Sequence, residues 1–402
     1  MRSALRQLRR APWIIVPVLL ALPPALVAQG REEWPSATPA ARGLDPRPLD
    51  SLVGRARAGT FGNTDALFVV RDGHAVLDVR FPRDYREVSR GRKSAIGCGI
   101  DACASPSDVH EFNYFHPDHH PYYKGSSLHT LQSVTKSVTA TLFGIALHQG
   151  RLRSLQEPLL SRLTRYASVA RDPRLRKATL HDLLTMRSGI EWHEVDRPLD
   201  STNTTSQLEW SKDWMQFTLS QPMDAEPGTK WVYNSGGSAL MAEVIRDATG
   251  MHADEYARRE LFAPLGITFH WKKTPTGHPD TEGGLYLSAQ DLARIGQLYL
   301  DDGVWQGRRI LPPGWAREAT ARTVEHVSAN PNSPGYGYQW WRYDRRGAEV
   351  WAGNGFGGQF LVVLPAHRMV GVANSWNVFG TPAAGILVPL IDAMLDAAGV
   401  PR

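Results

Sequence analysis

Near its start the chain carries two β-rich runs joined around Asp72-Gly73, and after about residue 335 strand patterns return three times. Asp-Gly between apolar runs is the strongest short hairpin signal, because both residues accept the positive φ that a tight antiparallel turn requires. Residues 66–81 are therefore expected to form an early hairpin. The later runs cover 337–341, 358–364 and 369–374, and an apolar helix is expected over 383–398. Between the two strand-rich ends, residues 179–300 read as mainly helical, with tryptophan- and proline-marked loops. Strands at both ends with helices between predict an α/β architecture. One antiparallel sheet is built from both termini and flanked by helices, with a helical subdomain inserted over roughly 165–300. A binding cleft is expected at their junction.

Helical periodicity places Val134, Val138, Leu142 and Ile145 on one face of a helix over residues 128–147, with Gly150 as its stop. Residues 179–189 predict a short helix ending at glycine, and Ser288 an N-cap. At the head of the 128–147 helix stands Ser133-Val134-Thr135-Lys136. Spacing i, i+3 puts both side chains on one helical face, so an amine lies beside a hydroxyl that is otherwise a poor nucleophile. Most Ser-x-x-Lys pairs are solvated surface residues, so the pair counts only in context. Its position near a helix start adds free backbone N–H groups and the positive end of the dipole, which assist a developing anion.

Two further segments carry chemistry. Pro227-Gly228 turns the chain into Trp231-Val232-Tyr233-Asn234-Ser235, which puts Tyr233 in a short loop before a helix running towards Gly250. Packing is the default role of such a tyrosine. The glycine-rich run Trp351-Ala352-Gly353-Asn354-Gly355-Phe356-Gly357-Gly358-Gln359 precedes a β segment, and dense glycine entering a strand allows a ligand close to the backbone. A phosphate loop is excluded, since no helix follows and no Lys-Ser/Thr pair closes the run.

Four arginines, Arg2, Arg6, Arg9 and Arg10, precede an apolar, proline-broken run that ends at Val27-Ala28. A basic head, a short apolar centre and a small residue before a polar one predict an export leader over 1–28; the alternative is an uncleaved membrane anchor. Removing those four arginines takes the net charge from +5 to about +1, so nothing points to nucleic acid or anionic lipid. In an exported setting the two cysteines, Cys98 and Cys103, are expected to close a small local disulfide. His110, His116, His119 and His120 lie among prolines and aromatic residues without metal-ligand spacing, and read as a solvated loop or pocket wall within an insertion over roughly 84–127.

With these motifs in order, residues 50–395 resemble the penicillin-recognising serine hydrolases: class C β-lactamases, penicillin-binding D,D-peptidases and their esterase and amidase relatives. Ser133-Val134-Thr135-Lys136 matches the first motif, and Tyr233-Asn234-Ser235 matches the tyrosine motif where many members have Tyr-x-Asn. Asn354-Gly355 with its glycine-rich sequel occupies the third. Where lactamases and D,D-peptidases carry Lys-Thr-Gly, this chain has Gly353-Asn354-Gly355, or Trp351-Ala352-Gly353 in a shifted register, and both lack the lysine. The resemblance, closest to the esterase and 6-aminohexanoate-dimer-hydrolase branches, implies a β-lactamase/transpeptidase-like fold in a single domain over 29–402.

It also implies Ser133 as nucleophile, Lys136 as a base whose pKa is lowered by burial, and Tyr233 as proton relay. Asn234, Asn354, Gly355 and Phe356 would bind substrate, with the Ser133 and Phe356 backbone N–H groups holding the oxyanion. No metal or organic cofactor is implied. The expected substrate is a small ester or amide, because a site without the third-motif cation suits a neutral group better than an anionic lactam or peptide terminus. The alternatives are a β-lactamase or D,D-carboxypeptidase, and a weakly catalytic envelope protein that binds peptidoglycan or a partner.

Overall fold

Asp72 and Gly73 take φ of 47° and 72° and close the expected hairpin, in which β1 (Thr64–Arg71) pairs antiparallel with β2 (His74–Arg80). The computed structural model describes residues 33–90, 120–379 and 384–402. The leader, the Cys98 and Cys103 pair, His110, His116, His119 and most of the expected insertion lie outside the described residues. Five later strands complete the main sheet: β3 (Gly335–Tyr336), β4 (Trp341–Arg345), β5 (Ala348–Gly355), β6 (Gln359–Leu364) and β7 (Met369–Ser375). The strand order is β2-β1-β7-β6-β5-β4-β3, antiparallel throughout. Pairing of β1 with β7 sets Phe68 opposite Val372, and so joins the two ends of the chain in one sheet.

Strand β1 is buried on both faces, and its two-residue period sorts its side chains between two cores. Leu67 and Val69 pack with helix Pro46–Arg57 and helix Leu387–Ala397, while Ala66, Phe68 and Val70 face the helices of the middle of the chain. Each of the larger side chains, Leu67, Phe68, Val69 and Val70, stabilises the fold by roughly 1.5–3 kcal/mol through burial. On the second face lies helix Val134–His148, sandwiched between β5 and helix Ser235–Thr249. Thirteen of its 15 residues are buried, so a single apolar face understated how central this helix is. Burial of its threonines is tolerated because Thr139 and Thr141 donate to the carbonyls four residues back, at 2.9 and 3.0 Å.

Several expected boundaries move. The helix predicted from residue 128 begins at Val134, because His129–Thr130 pairs with Leu285–Leu287 in a small three-stranded sheet completed by Phe269–Trp271. Residues 337–340 leave the sheet between β3 and β4, where Gln339 adopts φ 60°. The last helix is shorter than 383–398 and spans Leu387–Ala397. Thr179 and Asp182 form a reciprocal capping box on helix Leu180–Leu184, and Ser288 caps helix Ala289–Leu300. His120 is not a solvated loop residue: it is buried against the rings of Tyr85 and Trp376, and desolvation holds its pKa well below the usual value. Among the described residues no group of acidic, histidine or cysteine side chains is arranged to hold a metal, and no helix is long and apolar enough to cross a membrane.

Candidate active site

Three segments converge on Ser133. It is the N-cap of helix Val134–His148, and Gln132 before it holds a left-handed φ of 48° that non-glycine residues seldom adopt. That bend separates the short strand His129–Thr130 from the helix and lifts Ser133 to the helix N-terminus. Lys136 follows one turn later and is almost fully buried. Its Nζ donates to Ser133 Oγ at 2.8 Å, to the Glu282 carbonyl at 2.8 Å and to Glu282 Oε2 at 3.0 Å.

Tyr233 reaches the same point from the segment before helix Ser235–Thr249. Its ring lies 5.3 Å from Lys136 Nζ, and it lines the same cleft as Ser133. Trp341 of β4 stacks on the ring at 5.8 Å and 28°. Burial pushes the Tyr233 pKa up despite the opposing Lys136 charge, so the phenol keeps its proton. The expected lowering of the lysine pKa is not found. Burial pulls it down, but Tyr233, Glu282 and Glu194 together carry it above the ordinary lysine value. Tyr233 acts in this direction only as an anion, whereas Glu282 and Glu194 favour the charged amine as carboxylates. The resting amine is an ammonium.

The third segment is a strand rather than a glycine-rich strand entry. β5 runs to Gly355, pairs with β6 from Trp351 opposite Val363 to Gly355 opposite Gln359, and turns through Phe356. Its glycines admit the nucleophile helix more than a ligand. A Cβ on Gly353 would lie 3.0 Å from Val134 Cγ1 and 3.2 Å from Ser137 Oγ.

A cleft of about 310 Å³ opens over Ser133 and is lined also by Glu194, Glu209, Tyr233, Glu282, Trp341, Asn354, Gly355 and Phe356. Three of the four expected substrate-binding positions are thus brought to it. Asn354 donates to the Tyr343 hydroxyl at 2.6 Å, while its buried Oδ1 has no partner among the described residues. Asn234 is the exception: its Oδ1 accepts the Gly237 N–H at 2.7 Å as the cap of helix Ser235–Thr249. Ser235 also turns away, donating to Glu194 Oε1 at 2.7 Å.

The carboxylates were not anticipated. Glu194 also accepts the Ser235 N–H at 3.0 Å and the Trp192 indole N–H at 3.0 Å. Desolvation, with Glu282 and Glu194 nearby, pushes Glu209 up to about 8. None of the three lies in a motif, so no spacing in the sequence marks them; they meet only through tertiary contact. Glu194 and Glu209 reach the cleft from the segments that carry Trp192 and Trp210. Trp214 is buried in the core and Trp210 is 63% exposed, while Trp231 and Trp341 pack around Tyr233.

A family model described as Beta-lactamase matches residues 63–386. The 6-aminohexanoate-dimer hydrolase of Paenarthrobacter ureafaciens is 27% identical over 267 residues, 62% of this chain and 66% of that protein. Penicillin-binding protein 4 of Amycolatopsis lactamdurans is 28% identical over 273 residues, covering 59% of this chain and 69% of its own length. The chain thus spans about two thirds of these relatives. A solved Bacillus anthracis structure, provisionally assigned as a 6-aminohexanoate-dimer hydrolase, superposes with a TM-score of 0.68 at 22% identity, covering 93% of this chain and 90% of its own. That likeness shows the fold: an antiparallel sheet with flanking helices. The chain belongs to the β-lactamase family of serine hydrolases.

Proposed function

We propose that the protein is an exported hydrolase that cleaves neutral ester or amide substrates through an acyl-enzyme on Ser133. The observation that carries this reading is the 2.8 Å contact between Lys136 Nζ and Ser133 Oγ at a helix N-terminus inside the cleft. In the first step Lys136, once it has released its extra proton, takes the Ser133 proton on its Nζ lone pair as Oγ bonds to the substrate carbonyl carbon. The Ser133 and Phe356 backbone N–H groups are the proposed oxyanion donors, and Tyr233 returns the proton to the departing alcohol or amine. In the second step water, deprotonated by the same groups, attacks the acyl carbon and restores Ser133.

Charge supports the substrate class. Among the described residues the cleft lining contains Glu194, Glu209 and Glu282 but no lysine or arginine, and at the third motif Asn354 and Gly355 stand without a cation. An anionic lactam or peptide carboxylate would find no cationic partner among these lining residues. Export rests on the leader over 1–28. A panel of p-nitrophenyl esters, neutral amides and a chromogenic cephalosporin, assayed on the purified mature protein, tests the reading. Ester or amide turnover well above cephalosporin turnover is expected, and rapid cephalosporin cleavage beside negligible ester cleavage would reverse it in favour of a lactamase.

A further inference from the structure

Glu282 sits in the turn between strands Phe269–Trp271 and Leu285–Leu287, and that turn is tied on every side. Asp280 Oδ1 accepts the N–H groups of Glu282 and Gly283 at 3.1 and 3.0 Å. The Thr281 hydroxyl donates to the Ser238 carbonyl of helix Ser235–Thr249 at 2.8 Å. Thr139 of the nucleophile helix donates to the Thr281 carbonyl at 3.3 Å. The carboxylate itself is buried against Lys136. The polar side chains of the tyrosine motif do not serve the amine, since Asn234 caps its helix and Ser235 is bonded to Glu194.

Resting on the acyl-transfer reading above, we infer that Glu282 is the positioning residue that orients the Lys136 amine for proton abstraction from Ser133. Its carbonyl and its carboxylate take two of the three directions around Nζ, and Ser133 Oγ lies in the third. A neutral amine has two N–H groups and one lone pair. With both N–H groups held by Glu282, the lone pair is directed at the Ser133 hydroxyl. When the Ser133 O–H bond breaks and Oγ attacks the carbonyl carbon, the proton becomes the third N–H of an ammonium that already faces an adjacent carboxylate. The same carboxylate sets the pH at which the amine becomes a base. The other titratable groups facing this pair are Tyr233, Glu194 and Glu209 across the cleft and Asp280 from the Glu282 loop, while Lys272 of that loop acts on Glu209.

The test is the pH profile of kcat/KM for a p-nitrophenyl ester, with the pH dependence of fluorophosphonate inactivation as a second readout. Glu282→Gln preserves shape and acceptor but removes the charge, which disfavours the ammonium. Its ascending limb should move to lower pH by about one to three units. Glu282→Asp keeps the charge and should hold the wild-type limb while lowering kcat. Glu282→Ala should lower kcat about tenfold or more with KM within about threefold. A structural role alone would leave the limb in place. A Glu282→Gln profile that superimposes on that of an active wild type overturns this inference alone. A folded wild type that neither turns over esters nor is inactivated at any pH overturns the acyl-transfer reading and this inference together.

Discussion

Gly355 ends β5 directly against Leu131, so closely that a Cβ on Gly355 would overlap the Leu131 carbonyl oxygen and press on Gln132 Cβ at 3.3 Å. The strand carrying the third motif and the turn carrying the nucleophile are therefore one packed unit. Glycine at 355 reflects this close approach, since the strand conformation itself does not require it.

Gly355→Ala should consequently displace the turn at Gln132 rather than merely add a methyl. We expect a stability loss of about 1–3 kcal/mol, as for overpacking elsewhere in protein cores, together with a fall in kcat. Urea unfolding combined with ester kinetics reads both. Wild-type stability and turnover would show that the strand and the turn can move apart freely.

Tyr233→Phe removes the phenol hydroxyl from the cleft over Ser133 but leaves the ring stacked on Trp341. Turnover should drop by roughly 10²–10⁴, the range for loss of a positioned acid–base group, with KM changed little. An unchanged kcat from steady-state assays would remove Tyr233 from the relay.

Much of this arrangement was legible in the sequence. Asp72-Gly73 marked the hairpin, and Ser133, Lys136 and Tyr233 were marked by local spacing and by their motifs, which are short-range signals. What escaped were features with no local signature. Strand β5 was hidden because its glycines resemble a loop, although they serve close packing against Val134 and Ser137. The helix start was placed too early because His129 and Thr130 are recruited into a sheet by residues more than 150 positions later. Glu282 is 146 positions from Lys136, and only the folded chain makes it the amine's partner. The lysine pKa was misread for the same reason: burial is guessed from an apolar helix, but the neighbouring carboxylates are not.

Those carboxylates also make stability depend on pH. An ordinary glutamate titrates near about 4.3, whereas Glu209 is pushed up to about 8 in the folded protein, first by desolvation and then by Glu282 and Glu194. Between those values the folded state keeps a proton that the unfolded state releases. This group's contribution is therefore fully present below about pH 4.3, declines as pH rises towards about 8 and is flat above. Glu209→Gln should flatten part of that slope and exceed the wild type in stability at alkaline pH. Glu243, pushed up to about 7 chiefly by burial, should leave a residual slope. Urea midpoints at pH 5 and 8.5 for both proteins are the check, and parallel declines would place the titrating group elsewhere.

The central claim is that Ser133 is the group acylated. The most direct measurement is intact-mass and peptide-mapping analysis of the folded protein after treatment with a fluorophosphonate. A single adduct on Ser133 is expected, absent in Ser133→Ala, and that variant should keep its fold while losing ester hydrolysis. An adduct on another residue, or a Ser133→Ala protein with full hydrolytic activity, would contradict the account.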